Sequence, residues 1–195
     1  MTSPASADTA KEPEALLVLR VSTGDAAAFV QLARILVKPA LALATRVLGD
    51  ATAAEDAVQE ALARLWREAG KFDERRGSFG AWWRRMLMNI ILDSKRRVRL
   101  VAPLDDANMV ADPLPGPDRL AESADIAMRV QAAAAFLPAR QRAALALFHG
   151  EGLSMAEIAT ALGASEKAVE GLLVRGRSAL KERLVALGAA DWISR

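Results

Sequence analysis

Residues 154–181 read SMAEIATALGASEKAVEGLLVRGRSALK, and this stretch decides the fold. Ser154 is placed to cap a helix, and Glu157 three residues later can reach back to it, a capping box ahead of Ile158, Ala159 and Leu162. Gly163 supplies the left-handed backbone that a tight helix–helix turn needs, and Ser165 is placed to cap the next helix. In that helix Val169, Leu173, Gly176 and Leu180 recur at helical spacing and face inward, leaving Lys167, Glu170, Gly171, Val174, Ser178 and Lys181 outward. The spacing predicts a helix-turn-helix whose second helix offers its outer face to the major groove of DNA. Arg175, Arg177 and Arg183, toward its C-terminal end, are in reach of phosphates. A plain helical hairpin with a solvated basic end is the competing reading; both caps and the glycine turn argue against it.

Working outward, Pro138 stands near the start of a preceding helix, and Gly150 and Gly152 follow its end. His149, the single histidine, falls at that end and is given no chemistry. These helices form a second domain over 121–187, with a tail at 188–195. Between Val101 and Asp118 four prolines and several acids break any helical period, so 100–120 reads as an extended acidic linker. Before it, helical patterning over 14–99 is punctuated by Thr23-Gly24-Asp25, by Gly49-Asp50 and by the loop from Gly70 to Ser78. Residues 1–13 lack an apolar period and read as a disordered leader. The expectation is an all-α chain of two small helical domains joined by a linker, the second holding the helix-turn-helix.

The composition agrees. In 195 residues the hydrophobic fraction is 52%, rich in alanine, which favours helix and buries little per residue. With no cysteine and one histidine, disulfides, thiolate sites and imidazole clusters are excluded. No Walker loop, metal-spaced carboxylates or nucleophile constellation is visible, so no catalytic residue, metal or cofactor is expected, and no enzyme. Met1 to Ala10 lacks a basic start and an apolar block, and no uninterrupted apolar run approaches membrane-spanning length. A soluble cytoplasmic protein without membrane insertion is expected.

A net charge of +2 says little, but its distribution does. Four acids and no base occupy 50–60, and six acids against Arg119 alone occupy 100–125. By contrast Arg84, Arg85, Lys95, Arg96, Arg97 and Arg99 face one acid, Asp93, over 84–99. From Ala53 to Glu68, Ala54, Val58, Ala61, Leu62, Leu65 and Trp66 form one stripe, with Glu55, Asp56, Gln59 and Glu60 on the other side. Acids suit a helix N-terminus, so simple solvation competes with an acidic surface facing a basic protein. In the helix from about Ala81 to Arg99, Arg85, Asn89, Leu92, Arg96 and Arg99 share a face that Lys95 adjoins. Such a strip can track a phosphate backbone while Asn89 meets a base edge. Trp82 and Trp83 begin that helix; aromatics beside cations can stack bases of single-stranded DNA, core packing is the favoured competing reading, and one is expected to pack and one to be exposed. The loop before them sets Lys71, Arg75 and Arg76 beside Phe72 and Gly77, and can receive an unstacked base; a solvated loop competes.

Taken in order, Ala54-Glu55-Asp56-Ala57-Val58-Gln59-Glu60 through Leu65-Trp66, then Gly77-Ser78-Phe79 with Trp82, Asn89 and Asp93, resembles the promoter-melting domain of bacterial sigma factors. Leu137-Pro138 with Gln141-Arg142, Gly152-Leu153-Ser154 with Glu157-Ile158-Ala159, and Val169 with Arg175 and Arg177 resembles the second domain of the extracytoplasmic-function group. The resemblance implies that Asp56, Gln59 and Glu60 dock on core RNA polymerase. It implies that Lys71, Phe72, Arg75, Arg76, Trp82, Arg85, Asn89, Lys95 and Arg96 engage the promoter element nearest the start site. Ser165, Lys167, Glu170, Gly171, Val174, Arg175 and Arg177 would read the upstream element, the acidic linker would thread toward the polymerase active site, and an anti-sigma factor would hold the chain inactive. At Glu170 and Leu172 the family commonly carries basic residues, so contacts shift toward Lys167, Arg175 and Arg177. A stand-alone helix-turn-helix regulator with an N-terminal sensor or dimerisation domain is the alternative.

Overall fold

A computed structural model describes residues 13–101 and 128–186, with the backbone alone over 95–101. The expected leader through residue 12, the linker from residue 102 and the tail lie outside the described residues. Every regular element among the described residues is helical.

Four helices make the first unit: α1 (Glu14–Ser22), α2 (Ala26–Leu48), α3 (Ala51–Glu68) and α4 (Phe79–Val101). The predicted punctuation sets their ends. Asp25 caps α2, its Oδ1 accepting from the Ala28 N–H at 3.0 Å while Arg20 Nη2 donates to Oδ2 at 2.8 Å. Gly49, at φ 73°, ends α2 in the left-handed conformation that a side chain disfavours, and Asp50 caps α3 through the Ala53 N–H at 2.8 Å. By length and composition α2 is apolar enough to cross a bilayer. It nonetheless carries Arg34, Lys38 and Arg46, and it buries Leu32, Leu36, Leu43 and Val47 against its neighbours. The α3 stripe buries Ala54, Ala57, Val58, Ala61 and Leu65. Trp66, placed in that stripe by spacing, lies at its edge, 40% exposed and edge-on to Phe29 at 5.2 Å. Helix α4 runs two residues past the predicted Arg99.

The second unit comprises α5 (residues 128–135), α6 (Ala139–Leu145, prolonged by a π-turn over Ala146–Gly150), α7 (Met155–Leu162) and α8 (Glu166–Ala186). The helix-turn-helix forms by the predicted chemistry. Ser154 Oγ accepts from the Glu157 N–H at 3.3 Å, and the Ser154 N–H donates to Glu157 Oε2 at 2.9 Å. Gly163 turns the chain at φ 58°, and Ser165 Oγ accepts from the Ala168 N–H at 3.2 Å. Val169, Leu173 and Gly176 are buried. At Gly176 α8 approaches α6 so closely that an added Cβ would stand 3.1 Å from Leu145 Cδ1.

The two units pack on each other through α2 with α6 and α4 with α7, and one hydrophobic cluster runs through both. Gln131 Nε2 donates to the Thr45 carbonyl at 3.1 Å, and Arg46 pairs with Glu151 at 3.4 Å. Arg142, only 6% exposed, points its guanidinium at the end of α2, with Nη1 3.4 Å from where a Cβ on Gly49 would stand. Burial holds its pKa below the ordinary arginine value.

Candidate nucleic-acid interface

Two short 3₁₀ turns, Ala69–Lys71 and Glu74–Arg76, join α3 to α4 where the sequence predicts a loop. Their conformation is fixed locally. Asp73 Oδ1 accepts from the backbone N–H and Nε of Arg75, both at 3.1 Å, and these hydrogen bonds, the side-chain one foremost, hold the Asp73 carboxyl below its usual range. Phe72 is clamped onto α4 by Phe79 and Trp82, with ring centroids 5.7 and 5.8 Å away. Trp83 is buried and Trp82 is half-buried, so the pair splits between packing and surface as the spacing suggests.

Together these pieces enclose a cavity of about 480 Å³. Its lining includes Phe72, Trp82 and Asn89, the cations Arg64, Lys71, Arg76 and Arg85, and the acids Glu68 and Asp73. An aromatic surface, an amide and an excess of cations over acids suit a base displaced from its stack together with its phosphates. Arg75 points to Asp73, and Lys71 lies 3.4 Å from Glu68. The side chains of Lys95 and Arg96 lie outside the described residues. Asp56, Gln59 and Glu60 are all exposed on the side of α3 opposite its buried stripe.

On α8, Ser165 serves the cap, and Lys167, Glu170, Val174 and Arg175 are exposed on the outward side. Gly171 lets the Arg175 guanidinium fold against the helix; an added Cβ would meet its Nη1 at 3.1 Å. The guanidinium groups of Arg177 and Arg183 lie over aromatic rings of their own unit, Phe148 at 5.0 Å and Phe136 at 4.4 Å. Neither ring stands out in the sequence as a partner.

Spacing also gives no sign of how the two surfaces sit together. Thr160 of α7 lines the base-sized cavity. A second cavity, about 550 Å³, lies between Arg85 on α4 and the turn Gly163, Ala164, Ser165 and Glu166 that opens α8. Arg85 therefore lines both cavities, and the start of α8 faces α4 across the second of them.

Comparison with known proteins points the same way. The sigma-70 region 2 family matches residues 32–100 and the sigma-70, region 4 family matches residues 127–180. The chain is 34% identical over 145 residues to the ECF RNA polymerase sigma factor SigE of Mycolicibacterium smegmatis, covering 73% of this chain and 56% of SigE. It therefore spans little more than half the length of that relative. To the ECF RNA polymerase sigma factor SigF of Caulobacter vibrioides it is 33% identical over 172 residues, covering 86% of this chain and 92% of SigF. In fold it resembles CnrH, solved in complex with the cytosolic domain of CnrY, with a TM-score of 0.61 and 29% identity over 89% of this chain and 97% of that chain.

Proposed function

The chain belongs to the extracytoplasmic-function RNA polymerase sigma factors, and on that footing we propose that it binds core RNA polymerase and directs promoter-specific initiation. The observation that carries this reading is a base-sized aromatic cavity with more cations than acids in its lining and a capped helix-turn-helix on one chain. The first unit captures an unstacked base of the element nearest the start site, through Trp82, Asn89 and the cations Lys71, Arg76 and Arg85. The outer face of α8 reads the upstream element as duplex. Asp56, Gln59 and Glu60 dock on the polymerase.

Magnitudes favour a partner. Opening about ten base pairs at roughly 1.4 kcal/mol per stacking step costs on the order of 14 kcal/mol. A chain of net charge +2 has little electrostatic affinity to offset that cost. The polymerase supplies strand opening and the chemistry; this subunit supplies specificity and a trap for the opened strand, acting in the cytoplasm. Because Arg85 and the start of α8 border one cavity, engaging both promoter elements requires the two units to move apart. The packed arrangement is the resting form in this reading. An anti-sigma protein acts by keeping it so; CnrH, which this chain resembles in fold, was solved in complex with the cytosolic domain of CnrY.

The test is reconstitution. Purified chain with core polymerase should start transcription at defined promoters, while the chain alone binds duplex weakly. Asp56→Lys should weaken polymerase binding and leave the contacts of α8 intact. Tight duplex binding without polymerase, together with unchanged polymerase affinity in Asp56→Lys, would overturn the reading in favour of a stand-alone regulator.

A further inference from the structure

The outward face of α8 carries two side chains that phosphate binding does not explain. Glu170 is exposed, and among the described residues its side chain makes no hydrogen bond or ion pair. Val174, one turn further on, is 60% exposed, an apolar side chain on a surface otherwise built of Lys167, Arg175 and Ser178.

A free carboxylate brought against a polyanion is repelled unless a donor meets it. In the major groove the only donors are the amino groups of cytosine and adenine. Adenine sets its N7 acceptor beside that amino group, which repels a carboxylate; cytosine sets a C–H there. Cytosine is therefore the base that fits Glu170. An exposed valine has one apolar partner in the same groove, the C5-methyl of thymine. Four residues along a helix advance about 6 Å, and neighbouring base pairs stand about 3.4 Å apart. The two bases must then lie one or two base pairs from each other.

We infer that Glu170 and Val174 set the sequence preference of this chain for its upstream element, Glu170 accepting from the N4 amino group of a cytosine and Val174 covering the methyl of a thymine one or two pairs away. Lys167 and Arg175 flank them and hold the neighbouring phosphates. This rests on the reading of α8 as the upstream-element helix and adds the bases it selects.

The experiment uses the full chain with core polymerase on promoters whose upstream element is randomised, read by sequencing the transcribed templates. The native chain should favour cytosine at one position by about tenfold and thymine one or two pairs away by about fourfold. Glu170→Ala should erase the cytosine preference alone, and Glu170→Gln should move it toward adenine, which glutamine pairs through N6 and N7. Replacing that thymine by deoxyuridine removes only the methyl. It should lower transcription about fourfold with the native chain and leave Val174→Ala unaffected. If the native chain shows no upstream preference at all, the reading of α8 falls and this inference with it. If a preference exists but neither substitution nor deoxyuridine alters it, or Glu170 proves to select a base other than cytosine, this inference alone is overturned.

Discussion

Arg46 on α2 and Glu151 after α6 are 105 residues apart in the chain and meet in an ion pair at 3.4 Å, across the seam between the two units. The Arg46 guanidinium lies so close to Gly150 that a Cβ there would stand 2.8 Å from its Nη1. Such a partly exposed pair is worth about 1 kcal/mol at most, but reversing one charge turns attraction into repulsion across the seam. Glu151→Arg should therefore shift the chain toward separated units. The chain has no cysteine, so spin labels at Arg67→Cys and Lys181→Cys report the separation cleanly. The variant should show a longer-distance population that the parent lacks; identical distance distributions would contradict the prediction.

Arg142 is the deeper contact of the same seam. Its Nη2 lies 3.5 Å from the Leu137 carbonyl, its Nε has no partner, and burial disfavours its charge. A buried cation so poorly satisfied adds little to stability, and an apolar side chain of similar reach is tolerated in such a place. Arg142→Met should hold or raise the unfolding midpoint. Arg142→Ala, which leaves a void, should cost about 2 kcal/mol. Denaturant unfolding decides, and equal losses in both variants would show that the charge itself is needed.

Gly176 marks where α8 touches α6. A Cβ 3.1 Å from Leu145 Cδ1 requires a shift of a few tenths of an ångström, while alanine gains about 1 kcal/mol of helix propensity over glycine. Gly176→Ala should therefore be near neutral. Gly176→Val adds branches that the contact cannot admit and should cost about 1–3 kcal/mol. A stable valine variant in thermal melts would mean that the helices separate freely here.

Glu157 is held below its ordinary pKa of 4.5 by hydrogen bonds from the Ser154 hydroxyl and then the Ser154 N–H, with the charge of Arg84 a smaller aid and desolvation opposing. Folding therefore favours the carboxylate. Its stabilising effect is whole above the ordinary value and is lost as pH falls through the lowered one. The protection of α7 amides, taken as the ratio of intrinsic to observed exchange rate at each pH, should fall in that acid range in the parent, and Glu157→Gln should flatten the dependence. Parallel pH profiles for both would refute the assignment.

Local chemistry was what the sequence displayed. The capping box, the turn at Gly163 and the breaks at Gly24-Asp25 and Gly49-Asp50 each depend on residues within four positions of one another, and each formed as spacing predicts. The split between Trp82 and Trp83 was legible for the same reason. The seam was not. Gln131 with Thr45 and Arg46 with Glu151 leave no periodic trace, and an arginine such as Arg142 reads as a surface cation until its burial is seen. The rings that Arg177 and Arg183 lie over, Phe148 and Phe136, leave no trace in the spacing either. Thr160, on the lip of the base-sized cavity, belongs to the other unit, so no motif in the first pointed to it.

Asn89 offers the cleanest test of that cavity. Trp82 shares its rings with Phe72 and Phe79, so truncating it disturbs packing as well as any stacking. Asn89 is exposed, lines the cavity and sits opposite the buried face of α4 formed by Leu87, Met88 and Ile91. Its amide can meet both a donor and an acceptor on one base edge, an arrangement worth about 1–3 kcal/mol of discrimination. Asn89→Ala should therefore reduce open-complex formation about tenfold with core polymerase, while the melting temperature and the affinity for polymerase stay at the parent values. Permanganate reactivity of unpaired thymines measures the first quantity and titration against core polymerase the last. Full opening by the variant would remove the cavity from promoter capture; a loss of polymerase affinity instead would place Asn89 in the docking surface now assigned to α3.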